Sequence, residues 1–156
     1  MQTRKQITVF LENKPGRLAH VLSELARQKI NIVALSVMDR HARGASEHGV
    51  LRLVTDDEAL TLKVIQGGKI SYTESDVLAV ELKNQPGALA HVCETLAAER
   101  ISIDYAYCSS GGRNGKVFGI FKVSNLEKAQ RVLSAPTNNR RPQRRPLRDQ
   151  RAYKKV

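Results

Sequence analysis

The stretch Asn13-Lys14-Pro15-Gly16-Arg17-Leu18-Ala19-His20-Val21 occurs a second time, 71 positions later, as Asn84-Gln85-Pro86-Gly87-Ala88-Leu89-Ala90-His91-Val92. Aligned without a gap, Asn13 to Ile32 and Asn84 to Ile103 are identical at eleven of twenty positions. An internal duplication of this length sets the plan of the chain before any single residue is read. It divides the 156 residues into two units of roughly 65 to 70 each, a size that struggles to bury an adequate core alone. The units are therefore expected to pack on each other, on a second chain, or both.

In each copy an alternating apolar run ends in Asn-x-Pro-Gly and a helical pattern begins. Ile7, Val9 and Leu11 have the period of a half-buried strand, whereas Leu18, Val21, Leu22 and Leu25 follow the spacing of a helix with one buried face. Pro suits the first helical position and Gly allows close approach to the helix start. Residues 30–37 and 50–54 read as strands joined by a polar loop at 41–48, and Asp56-Asp57-Glu58 caps a second helix that Gly67-Gly68 ends. Lys69 to Thr73 is a fourth strand. From Val77 the order recurs, with a hairpin at 111–115 in preference to a phosphate loop, because no Lys-Ser/Thr follows. The second copy shows no clear fourth strand.

The fold class is α+β: two ferredoxin-like βαββαβ sandwiches in tandem, residues 1–74 and 75–135, then a disordered Arg/Pro-rich tail at 136–156. The net charge of +11 belongs mainly to that tail, where eight basic residues face only Asp149 and leave +4 on residues 1–135. The tail could neutralise phosphates, so an RNA-binding or structural interaction module is the alternative function. Nucleic acid is not the favoured partner, because Phe10, Tyr105, Tyr107, Phe118 and Phe121 are scattered and repeat no base-stacking signature. No apolar run is long enough to span a bilayer and no apolar h-region follows the N-terminus, so the chain reads as cytoplasmic with no membrane partner. Cys93 and Cys108 read as buried, reduced thiols. His20 and His91 occupy matching helix positions without acidic or thiol partners at ligand spacing, which favours packing over metal. With no Ser-His-Asp, paired-carboxylate or Walker-like arrangement, the expectation is no enzyme and no cofactor.

The pattern of a strand, Asn-x-Pro-Gly-x-Leu-Ala-x-Val, Leu-Ala and then Ile-Asn-Ile resembles the ACT domain, a small regulatory module that binds amino acids. Two copies with nothing catalytic attached resemble the stand-alone tandem members of that family. The resemblance implies an amino-acid ligand between adjacent domains, and the open edges of four-stranded sheets lead to the expectation of a homodimer. It implies ligand contacts from Asn13, Pro15, Gly16, Arg17, Leu18 and Asn31 in the first copy, with Asn13 and Asn31 on one ligand. In the second copy it implies Asn84, Pro86, Gly87, Ala88, Leu89 and Ser102, where Ser102 replaces the Asn.

Overall fold

The computed structural model describes residues 1–39, 48–109 and 116–135. The hairpin expected at 111–115, most of the polar loop at 41–48 and the basic tail lie outside the described residues. In chain order the elements are β1 (Gln2–Glu12), α1 (Arg17–Arg27), β2 (Ile32–Asp39), β3 (His48–Thr55), α2 (Glu58–Gly67), β4 (Tyr72–Lys83), α3 (Ala88–Ala98), β5 (Ile103–Cys108), β6 (Lys116–Val123) and α4 (Leu126–Ser134).

The six strands form one antiparallel sheet in the order β2-β3-β1-β4-β6-β5. All four helices lie on one face. Side chains alternate along a strand, and Ile7 and Val9 of β1 share a core with α1 and α2, while Leu78, Val80 and Leu82 of β4 share one with α3 and α4. The register Ile7↔Glu74 and Val9↔Tyr72 puts both sets on the same side of the sheet.

The opposite face curls on itself. Ala34 and Val54 from the first repeat meet Val77, Ala79 and Ile120 from the second in a third core, and the outermost strands β2 and β5 approach one another. Gln6 lies at its centre with 0% exposure. Its Nε2 donates to Tyr105 Oη at 2.7 Å and to Thr8 Oγ1 at 3.0 Å, and its Oε1 accepts from Tyr107 Oη at 3.0 Å. A buried amide is tolerated only when its donors and acceptor are engaged, and here both repeats engage it.

The two strands at the middle of the sheet serve both repeats. Tyr72 to Asp76 of β4 lies beside β1 as the first repeat's fourth strand, and the same strand continues as Val77 to Lys83, the first strand of the second repeat. The position between residues 74 and 75 therefore falls inside β4. Gln2 to Gln6 of β1 pairs with Ser75 to Ala79, the place a fourth strand of the second repeat would take. The strand missing from the second copy comes from the N-terminus. Its side chains are polar because backbone pairing needs no apolar side chain, and Lys5 Nζ stands 2.9 Å from the Asp76 carboxylate.

Two local expectations change. Cys108 is exposed at the end of β5, not buried, while Cys93 is partly buried against the second core. α2 ends with Gly67 but the left-handed residue is Lys69 at φ 51°, whereas Gly68 has φ −76° and sits close to the Ile70 side chain. The second glycine supplies room, not backbone freedom.

Candidate functional site

Each Asn-x-Pro-Gly segment folds as a type II turn, which explains the residues it uses. Arg17 N–H donates to Lys14 O at 3.2 Å across Pro15-Gly16, and Ala88 N–H to Gln85 O at 3.3 Å across Pro86-Gly87. Pro suits the second place of such a turn and the third requires positive φ; Gly16 and Gly87 have φ 86° and 87°. Both prolines thus precede the helix, and Gly16 and Gly87 are its N-caps. The first helical position belongs to Arg17 and Ala88.

These two helices begin differently from the others. Asp57 Oδ1 accepts from Leu60 N–H at 2.9 Å and Asn125 Oδ1 from Lys128 N–H at 2.8 Å, so α2 and α4 are capped by side chains. α1 and α3 have no side-chain cap. Their first-turn amides are donors at the positive end of the helix dipole, a setting that suits a carboxylate. The turns are exposed: Asn13, Pro15, Gly16 and Arg17 in the first repeat, and Asn84, Pro86, Gly87 and Leu89 in the second, with Leu18 and Ala88 partly buried.

Sequence pattern did not single out Glu12. Lys14 Nζ and Arg17 Nη2 both lie 3.1 Å from its Oε2, and hydrogen bonds from Lys14 and then Arg17 hold its carboxyl below the usual range. Arg17 is thereby committed within the turn. The second repeat has Lys83 at the place of Glu12 and Ala88 at that of Arg17, so the cluster belongs to one turn only. A cavity of about 330 Å³ adjoins it, bordered by Phe10, Glu12, Arg17, His20 and Lys69.

The structure does not bring Asn13 and Asn31 together. β1 and β2 run in the same direction, since each is antiparallel to β3. Asn13 follows the end of β1 while Asn31 precedes the start of β2. The eight residues of β2 span about 25 Å at roughly 3.3 Å per residue, which puts the two side chains at opposite ends of the sheet. The same holds for Asn84 and Ser102. The sheet register sets Ser102 level with Gln6 of β1 and Asn31 level with Val77 of β4, each about seven residues short of the Asn13 and Asn84 turns at roughly 3.3 Å per residue, so neither turn meets a strand start within one chain. Both strand starts are fixed by their backbones. Asn31 N–H donates to Asp56 Oδ1 at 2.9 Å and its carbonyl accepts from Asp56 N–H at 3.1 Å; Ser102 makes the matching pair with Ser124 at 3.1 and 3.0 Å.

Other candidates separate from these turns. His20 and His91 are both exposed on their helices, and no cluster of three or more His, Cys, Asp or Glu suited to a metal occurs among the described residues. Tyr105, Tyr107 and Phe118 border the inter-repeat core and Phe121 is buried under the helices. They are not a platform for stacking bases. No helix among the described residues is long and apolar enough to cross a membrane.

A family model described as an ACT domain pair matches residues 2–139. Protein BT0572 from Bacteroides thetaiotaomicron is similar at 33% identity over 84% of this chain and 86% of that one, with a TM-score of 0.73. The regulatory subunits of aspartate kinase from Thermus thermophilus and Thermus flavus share the fold. The first is 18% identical over 83% of this chain and 89% of its own, and the second 14% over 85% and 89%, with TM-scores of 0.56 and 0.57. No curated protein sequence matches. The duplicated turn, the ferredoxin-like α+β repeats and the match along nearly the whole folded part agree: the chain belongs to the family of ACT domain pairs.

Proposed function

We propose that this chain is a non-enzymatic, cytoplasmic regulator that binds an amino acid, with each site built from the turn of one repeat and the strand start of another. The observation that carries this reading is the pair of uncapped helix starts behind Gly16 and Gly87, beside two helices that do have side-chain caps. The turn presents amide donors to a carboxylate, and the carboxamide of Asn13 or Asn84 offers both a donor and an acceptor to a zwitterion. Because neither turn reaches a strand start within one chain, Asn13, Pro15, Gly16, Arg17 and Leu18 combine with Ser102 of a second copy of the chain. Asn84, Pro86, Gly87, Ala88 and Leu89 combine with Asn31 of a second copy. The second combination contains two Asn side chains and is the stronger site.

A thermal-shift screen against the twenty amino acids tests the reading, since a ligand at 100 times its Kd adds about 2.7 kcal/mol. With the responding amino acid, Asn31→Ala weakens binding by about 1–3 kcal/mol and leaves the ligand-free Tm nearly unchanged. Asn31→Ala and Asn84→Ala are non-additive for binding, whereas Asn31→Ala and Asn13→Ala are additive. No response to any amino acid, or coupling of Asn31 to Asn13 and not to Asn84, overturns it.

A further inference from the structure

The duplication supplies an internal control for the outer face of the helices. Matching α1 to α3 and α2 to α4 by their caps aligns Gln28 with Glu99 and Leu60 with Lys128. In the second repeat Lys128 Nζ donates to Glu99 O at 2.8 Å and lies 3.2 Å from Glu99 Oε2, tying the end of α3 to the start of α4. Leu60 and Gln28 make no such tie. Between α1 and α2 there is instead an open cavity of about 510 Å³, within the range of small-molecule pockets.

Its walls include Val21, Leu60, Val64, Ile65 and Ile70, and its rim carries His20, Glu24, Gln28 and Lys63. Glu24 is already paired, with Arg27 Nη1 at 2.6 Å. Lys63 makes no ion pair with any described residue. The uncompensated charge above an apolar trough is therefore positive, which suits a molecule with an aliphatic chain and one anionic end. We propose that the α1–α2 cavity is a second small-molecule site that takes a short aliphatic carboxylate, its chain against Val21, Leu60 and Val64 and its carboxylate at Lys63. The site contains none of the turn residues, although it shares His20 and Val21 with the cavity beside the Glu12–Arg17 cluster, and it does not depend on the amino-acid reading.

The test is an amide chemical-shift titration of the full chain with sodium octanoate. Saturable shifts at His20, Lys63 and Gly67, absent with octylamine, are expected. Gln28→Glu combined with Leu60→Lys copies the tie of the second repeat into the first and should abolish them. Lys63→Glu, an exposed change that folding tolerates, should weaken octanoate about tenfold or more, and any amino-acid thermal shift should survive in both variants. Equal binding of octylamine, or undiminished octanoate binding in the Lys63→Glu protein, overturns the proposal. So do the same shifts on raising protein concentration alone, which would assign the cavity to a second copy of the chain.

Discussion

Gly16 holds φ 86° at a place where an added Cβ would meet no atom within 4 Å. Gly16→Ala is therefore a backbone experiment free of steric clash. It should cost about 1–2 kcal/mol in urea unfolding, and Gly87→Ala should cost about the same. Tyr107 poses a different problem. Burial, and to a smaller extent Tyr105, raises its phenol above the ordinary 10. A group whose folded pKa is raised contributes stability that is present below the unfolded value and lost as pH rises through it, so alkaline unfolding should set in above about pH 10. Tyr107→Phe leaves Gln6 Oε1 without its donor, which should cost about 1–3 kcal/mol at neutral pH and flatten the alkaline limb of the stability profile. At this scale the turns were legible as helix starts but not in their geometry: Pro15 and Pro86 read as first helical residues and the glycines as room for close approach, whereas Pro-Gly forms a type II turn ahead of each helix. Gln6 was not legible: a Gln beside Ile7 in an alternating strand reads as solvent-facing, and two of its three partners lie 99 and 101 residues away.

Among the elements, β1 was recognised only from residue 7 onward, because Gln2 to Gln6 has no apolar alternation to betray it. Its pairing is a property of the sheet. Deleting residues 2–6 should leave the β1–β3 register intact and expose the edge of β4 at Ser75 to Ala79. Hydrogen exchange should then show the largest loss of protection in β4 and β6, not in β2 and β3, and equal loss in both halves would contradict the assigned role. Helix ends offer a second check. Lys29 and Arg100 occupy left-handed positions at φ 57° and 56°, where glycine is the residue that fits without strain. Lys29→Gly and Arg100→Gly should each raise stability by about 0.5–1 kcal/mol, read as a higher urea midpoint. The repeated strand and helix periods were visible in sequence. The fusion of the fourth and first strands into β4 was not, since local pattern does not tell a turn from a straight continuation at Glu74-Ser75-Asp76.

For the whole molecule, β2 ends the sheet with Val37 and Met38 exposed, and although it approaches β5 it pairs with no strand on its outer side, which invites pairing with another chain. We expect a homodimer in sedimentation equilibrium at micromolar concentration, and Val37→Lys should drive it toward monomer; a monomeric wild-type protein would contradict this. The assembly of two repeats into one curled sheet was only half legible, because the need for mutual burial follows from size while the choice of face depends on Gln6, Tyr105 and Tyr107. The shared strands carry one more consequence. The Asn13 turn hangs from the end of β1, whose far end is the fourth strand of the second repeat; the Asn84 turn hangs from β4, whose beginning is the fourth strand of the first. Each turn is thus the tip of a rod clamped in the opposite repeat, about 35 Å long at roughly 3.3 Å per residue. A load applied at one tip passes first to the neighbouring strand of its own repeat, β3 or β6, and then along the rod into the sheet of the other.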